Sequence, residues 1–183
     1  MNSEYCKIPS ASFINNVISK ELALNIKIEN VVSQKMVAWN PEFEEKYSTS
    51  ADLSFREALG NFYQGIGVYM IWEVVENIVY ENNYKLECVY VGKGHVEDRM
   101  LVHKKKMSSN QCDFFISFYE CENRIAKYLE QVILDFYPTR LNKAENTAKT
   151  NVNNEKLYAI IDSDEAWFGV GHESACKYAS KNS

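Results

Sequence analysis

Three short runs of β-branched and aromatic residues follow one another in the middle of this chain, and they limit its fold more than any other feature. Such residues are enriched in β-strands, and runs of seven to nine residues have the length of strands. A polar, asparagine-rich stretch at 76–84 separates the first two runs and indicates a hairpin connection. The three runs are 67–75 (GVYMIWEVV), 85–91 (KLECVYV) and 113–121 (DFFISFYEC).

Apolar residues at helical spacing lie between the second and third runs and again after the third. The segment 123–136 predicts the clearest helix, with Asn123 as its N-cap and Pro138 just beyond its end. The segment 96–106 predicts another helix, in which Arg99 and His103 are four residues apart and so share one face. The core stripe of the clearest helix is Ile125, Leu129, Val132, Ile133 and Phe136.

Strands interleaved with helices predict an α+β fold, with a small central antiparallel three-stranded sheet flanked by helices. We predict a helical N-terminal extension at 1–62, a central module at 63–146, and a short C-terminal extension at 147–183 that packs on the module. One further strand is predicted at 157–161, within the C-terminal extension. Helices in the N-terminal extension are predicted from Phe13, Val17, Leu22, Leu24 and Ile26, and then from Leu53, Phe55, Leu59 and Phe62.

Composition argues against several classes of protein. No apolar run approaches the roughly 18 residues of a membrane span, and the first residues lack the pattern of a signal peptide, so we expect a cytoplasmic protein with no membrane partner. The five cysteines include no C-x-x-C pair, which argues against a disulfide framework or a cysteine-rich zinc site. The net charge of -5 argues against tight non-specific binding to DNA.

Seven side chains that can position or neutralise a phosphate follow one another through the predicted strands and helices. Each has an ordinary structural alternative. The tyrosines suit strands in any protein, Arg99 and His103 suit an exposed helix face, and Glu130 could pair with Arg124 or Lys127 on its own helix. The seven are Tyr69, Tyr90, Lys93, Arg99, His103, Glu130 and Asn142.

In order and context, these residues resemble the GIY-YIG nuclease family over about residues 65–145, close to half of the chain. The two tyrosine motifs of the family are matched by 67–69 (Gly-Val-Tyr) and 90–92 (Tyr-Val-Gly), with valine in place of isoleucine in both. The catalytic arginine and the metal-binding glutamate of the family are matched by Arg99 and Glu130.

Three further matches resemble the restriction-enzyme branch of that family. The Leu-Asn that closes the family module after a proline is matched by Leu141 and Asn142, the branch histidine by His103, and a lysine present in some members by Lys93. The 20 residues between the two motif tyrosines imply an extended hairpin, as in restriction-type members.

The resemblance implies a Mg²⁺-dependent endonuclease that hydrolyses DNA phosphodiester bonds, with Mn²⁺ as a substitute metal. Glu130 would hold the metal, because Mg²⁺ keeps much of its hydration shell and needs few carboxylates. Arg99 would bind the phosphate and stabilise developing charge. Tyr69 would activate or orient the attacking water; since a free phenol has a pKa of about 10, it needs help from Lys93, the metal or His103.

The remaining residues receive supporting roles. Tyr90 would orient water or phosphate, and Asn142 would provide hydrogen-bonding support. Residues 89–108 carry five basic and two acidic side chains, a local balance of +3 in an acidic chain. We therefore predict that Lys104, Lys105 and Lys106 bind the DNA backbone; the alternative is a solvated helix end.

Other functions stay open at this point. The acidic net charge and the lack of a recognisable reader domain favour a non-catalytic module that binds nucleic acid or protein on the same fold. A nuclease for RNA or branched DNA is a further alternative, because such a site grips phosphate and not base. Cutting both strands with one small site needs a dimer or two binding events, so we also predict a homodimer. Restriction, phage or mobile-element biology would suit the activity.

Overall fold

The computed structural model describes residues 8, 10–32, 36–39, 65–78, 83–96, 99–100, 102–103, 114–142 and 156–162. Within this part of the chain, the elements are α1 (Ala11–Leu22), α2 (Ile28–Val32), β1 (Met36–Trp39), β2 (Gly67–Ile78), β3 (Asn83–Gly94), β4 (Phe114–Glu120), α3 (Asn123–Phe136) and β5 (Tyr158–Asp162). Helical backbone is also present at Val96, Arg99, Met100, Val102 and His103, which we call the connecting helical residues.

One antiparallel sheet contains all five of these strands, in the order β1-β4-β2-β3-β5. The predicted α+β class is confirmed, but the predicted number of three strands is wrong. The three predicted strands form the centre, and β1 and β5 extend the sheet at its two edges. Since β1 lies in a segment predicted to be helical, the N-terminal extension is not wholly helical, and short edge strands of this kind carry little sequence signal. The predicted domain boundaries stay a prediction.

The hairpin of β2 and β3 is longer than predicted. Pairing runs from Gly67 opposite Gly94 to Ile78 opposite Asn83, so that polar residues expected in the connection belong to strands. Their backbone groups are satisfied by the neighbouring strand, which outweighs a weak local preference for turns. Two register shifts interrupt the ladder, between Ile71 and Trp72 and between Val74 and Glu76.

The larger apolar cluster lies on one face of the sheet, which we call the helix-covered face. There, alternate β2 residues such as Met70 and Trp72 pack with residues of α1, α2 and α3. The bounds of α3 agree with the prediction, but its N-cap is Glu122, without a side-chain cap bond, and not Asn123. In α1 the buried residues are Ile14 and Ile18, whereas Phe13, predicted for the stripe, is 59% exposed. The predicted helix through Leu53 to Phe62 lies outside the described residues.

A smaller cluster lies on the opposite face, which we call the tyrosine face. It is covered by the connecting helical residues Val96 and Met100. Because successive side chains of a strand point to opposite faces, Tyr69 and Ile71 belong to this cluster, although Met70 between them does not. The cluster consists of Tyr69, Ile71, Val89, Val96, Met100, Phe114, Ile116 and Phe118, with Tyr90 and Leu141 packed against it.

Candidate active site

Tyr69 lies in the middle of the tyrosine face, against the backbone of the neighbouring strand. Its partner in the β2–β3 ladder is Gly92, and a Cβ atom at position 92 would lie only 2.5 Å from both Cζ and Oη of Tyr69. The same Cβ atom would lie 2.7 Å from Cε1 of Tyr90. Real Cβ contacts are never this close, so Gly92 is the residue that lets both tyrosine rings lie on β3.

A histidine meets the two tyrosines at this point. The Tyr69 hydroxyl and Nε2 of His103 are 3.0 Å apart and hydrogen bonded, and both residues are buried, with exposures of 1% and 5%. The Tyr90 ring stacks on Tyr69 with centroids 5.9 Å apart and meets the edge of the imidazole at 4.3 Å. Two hydroxyl-bearing rings and one imidazole are thus fixed against one another.

Electrostatics at Tyr69 favour the neutral phenol. Burial raises the pKa of Tyr69 well above its usual range, and the charge and hydrogen bond of Tyr90 act in the same direction. The Arg99 guanidinium lowers this pKa and the Glu130 carboxylate raises it, so both charges act on the Tyr69 hydroxyl. At neutral pH, Tyr69 therefore keeps its proton unless a neighbour accepts it.

The predicted charged residues approach this cluster from different elements. Arg99 belongs to the connecting helical residues and is exposed, and its Nε lies 3.9 Å from where a Cβ atom of Gly94 would be. Glu130 is half-buried on α3. Lys93 is half-buried on β3 and pairs with Val68, so the alternation of the strand places it on the face opposite Tyr69.

Asn142 holds the strand that carries Tyr90. Its Oδ1 accepts a hydrogen bond from the Val91 N–H at 2.9 Å, and its Nδ2 donates to the Val91 carbonyl at 2.8 Å. Thr139 donates from Oγ1 to the same Oδ1 atom at 2.6 Å. The predicted supporting role of Asn142 corresponds to this contact with the β3 backbone, beside Tyr90 and Gly92.

The structure therefore brings Tyr69, Tyr90 and His103 into direct contact, and it places Arg99 and Glu130 where their charges act on Tyr69. The predicted DNA-binding residues Lys104, Lys105 and Lys106 lie outside the described residues. The catalytic, metal-binding and DNA-binding roles of all these residues stay predictions.

Among the described residues of the site, a single carboxylate, that of Glu130, could bind a metal ion. Within the part of the chain that the structure describes, no group of three or more His, Cys, Asp or Glu side chains could hold a metal ion. Mg²⁺ is commonly bound by one or two carboxylates together with substrate phosphate and water. Half-buried Glu130 fits that mode of binding, in which the substrate completes the site, and it does not fit a preformed metal cage.

Two residues of this site had no assigned role from sequence. The position of Gly92 could have been noticed in the sequence, because a glycine inside a strand often marks the close approach of another group. Thr139 could not have been noticed in this way, since a threonine after a proline in a turn is ordinary. Both act through distances that only the packed structure defines.

Comparisons of this chain with models of protein families, with curated proteins and with solved structures find no significant match. No helix within the described ranges is both long enough and apolar enough to cross a membrane.

Proposed function

We propose that this chain is a Mg²⁺-dependent endonuclease of the GIY-YIG type that hydrolyses DNA phosphodiester bonds in the cytoplasm. The observation that carries this proposal is the 3.0 Å contact between the Tyr69 hydroxyl and Nε2 of His103, with the Tyr90 ring beside both. A hydroxyl bonded to an imidazole is suited to proton transfer, because the imidazole nitrogen can accept the phenolic proton.

In the proposed reaction, Tyr69 and His103 move a proton away from the attacking water. The water gives a proton to the Tyr69 oxygen while the phenolic proton passes to Nε2 of His103, so that a free phenolate never forms. The water oxygen then bonds to phosphorus, and the bond from phosphorus to the leaving oxygen breaks. His103 must start as the neutral tautomer that carries its proton on Nδ1. This relay suits a phenol whose pKa is raised by burial.

Charged residues would stabilise the phosphate during this step. Arg99 is exposed and its guanidinium can form two parallel hydrogen bonds to phosphate oxygens. Lys93 is given no part in this step, because its side chain leaves β3 on the face opposite Tyr69. Glu130 would hold Mg²⁺, which neutralises phosphoryl oxygens and assists the leaving oxygen when it is bound.

A cleavage assay on supercoiled plasmid, with and without Mg²⁺, tests this proposal. Wild type should yield discrete linear fragments, and Glu130→Gln and Arg99→Ala should each lower the rate by at least about 100-fold, the usual effect of removing a group that stabilises developing charge. Asp135→Asn and Arg124→Ala are matched controls, because each removes the same charge at an exposed position of α3. Cleavage at the wild-type rate by either site variant would contradict the assigned roles.

The alternative function has its own outcome in the same assay. Salt-dependent DNA binding without cleavage in Mg²⁺ or Mn²⁺ would favour a non-catalytic binding module. Cleavage restricted to RNA or branched DNA would redirect the proposal to those substrates. Cleavage of both strands would further require self-association, which light scattering with and without DNA measures.

A further inference from the structure

The turn after α3 contains a buried hydroxyl that the proposed reaction does not use. Thr139 is 3% exposed, and its Oγ1 donates to Oδ1 of Asn142 at 2.6 Å. Asn142 is 1% exposed. Two buried polar side chains in contact need a full set of partners, because an unsatisfied buried polar group is unfavourable.

The amide of Asn142 pairs with β3 as a neighbouring strand would. It exchanges two hydrogen bonds with the backbone of Val91, one to the N–H and one to the carbonyl, at 2.9 and 2.8 Å. The adjacent Leu141 N–H donates to the Val89 carbonyl at 3.1 Å. The turn therefore fixes β3 between positions 89 and 91, where one register shift of the hairpin occurs.

Val91 lies between the two residues of β3 that touch the phenol. Tyr90 stacks on Tyr69 and contacts His103, and Gly92 lies directly beneath the Tyr69 ring. A small displacement of the Val91 backbone therefore moves both neighbours of Tyr69 and changes the distance from its hydroxyl to His103.

We propose that Thr139 is a positioning residue, which orients the Asn142 amide so that β3 holds Tyr90 and Gly92 against the Tyr69–His103 pair. The effect of Thr139 on catalysis rests on the proposed function. Its effect on the position of the Tyr69–His103 pair does not. Thr139 acts through its hydrogen bond to Asn142.

The hydroxyl group of Thr139 is the part that orients the Asn142 amide. Oδ1 of Asn142 accepts two hydrogen bonds, one from Val91 and one from Thr139. Thr139→Val keeps the shape of the side chain and removes the hydroxyl donor. The buried Oδ1 atom of Asn142 then loses one of its two hydrogen bonds. Thr139→Ser keeps the donor and removes a methyl group. The pair of variants separates hydrogen bonding from packing.

An NMR measurement tests the positioning without any nuclease activity. The ¹⁵N shift of His103 Nε2 reports the bond to the Tyr69 hydroxyl, and exposed His95 serves as a control in the same spectrum. We expect Thr139→Val to move the His103 resonance while Thr139→Ser leaves it near the wild-type position, with His95 unchanged in both. An unchanged His103 resonance in Thr139→Val, or equal shifts in both variants, would overturn the proposal.

Kinetics then test the consequence for catalysis, at a temperature where thermal unfolding shows all variants folded. We expect kcat of Thr139→Val to fall roughly 10-fold to 100-fold, as misplaced catalytic groups do, with KM within about twofold of wild type. Thr139→Ser should recover most of kcat. A fall in KM and kcat that Ser does not reverse would assign Thr139 a packing role only. If wild type cleaves no substrate, the proposed function fails, and the His103 shift still decides whether Thr139 positions the pair.

Discussion

The two faces of the central sheet are built from neighbouring residues of the same strands, yet they differ in kind. On the helix-covered face, Met70 and Trp72 pack into a large cluster in which three helices take part. On the tyrosine face, Tyr69 and Ile71 lie in a smaller cluster that also contacts an imidazole. The large core supplies stability, and the small one holds polar groups in fixed positions. A chain can therefore bury a hydrogen-bonded polar pair when the opposite face of the sheet anchors the strands.

The largest effect should come from the helix-covered face. Trp72 is fully buried, and its Nε1 donates to Oγ of Ser117 at 2.8 Å. Trp72→Ala should lower the free energy of unfolding by about 3–5 kcal/mol, because it leaves a cavity and an unpaired hydroxyl. Urea denaturation measures this loss, with Phe13→Ala as the control. Since Phe13 is 59% exposed and makes an edge-to-face contact with Phe136, its replacement should change stability by about 1 kcal/mol or less. Similar losses of stability in Trp72→Ala and Phe13→Ala would contradict the assignment of Trp72 to the core and of Phe13 to the exposed surface.

The next effect should come from the tyrosine face, through a clash. Gly92→Ala places a methyl group 2.5 Å from the Tyr69 ring, which should destabilise the fold by about 1–3 kcal/mol and displace Tyr69 from His103. Urea denaturation measures the change in stability. Its control is the same replacement in a Tyr69→Ala background, where the effect of Gly92→Ala should shrink because the clashing ring is absent. An undiminished effect would show that Gly92 is needed for the Tyr90 ring or the backbone and not for Tyr69.

A third prediction concerns the burial of the Tyr69 phenol. Because burial raises its pKa in the folded state above the unfolded value of about 10, the folded protein holds this proton when the unfolded chain releases it. The resulting stabilisation is complete below about pH 10 and is lost as the pH rises above it, by up to about 1.4 kcal/mol per pH unit. Urea denaturation at pH 9, 10 and 11 should therefore show a shallower decline in Tyr69→Phe than in wild type. Parallel declines would mean that solvent reaches the hydroxyl.

The smallest effect should come from the ion pairs near the middle of the hairpin, where Glu73 and Glu87 lie opposite each other. Lys156 pairs with Glu87 at 2.9 Å, and Arg140 pairs with Glu73; both basic side chains are about half exposed, at 54% and 46%. Lys156→Ala should change the free energy of unfolding by less than about 1 kcal/mol, with even less effect at high salt. Chemical denaturation at low and high salt measures both. A larger, salt-independent loss would show that the Lys156–Glu87 pair is part of the core.

Some parts of the fold could be predicted because local pattern was enough. The bounds of α3 follow from an apolar stripe that ends before Pro138, and β4 agrees with its predicted run to within one residue at each end. The α1 stripe was wrong by one position, since Phe13 is exposed and Ile14 is buried. In a helix with apolar residues on several sides, the buried side depends on what packs against it.

The candidate site also has features that could be predicted from the sequence and features that could not. The resemblance to the GIY-YIG family, through residue order and the two tyrosine motifs, pointed to Tyr69, Tyr90, His103 and Asn142 before any contact was known. The contacts among these residues could not be predicted from the sequence. The pairing of Tyr69 with Gly92 depends on the register of the strands, and the hydrogen bond between Tyr69 and His103 joins residues 34 positions apart.

Local pattern along the chain was sufficient for the central strands and the α3 helix, since each follows from spacing and residue type over a few positions. The set of polar residues was predicted from the resemblance to a known family. Tertiary packing decided the membership of β1 and β5 in the sheet, the side of α1 that is buried, and the neighbours of Tyr69. It also decided that burial raises the pKa of the Tyr69 phenol. These properties depend on contacts between distant segments and on the exclusion of water, and neither is encoded in any short stretch of residues.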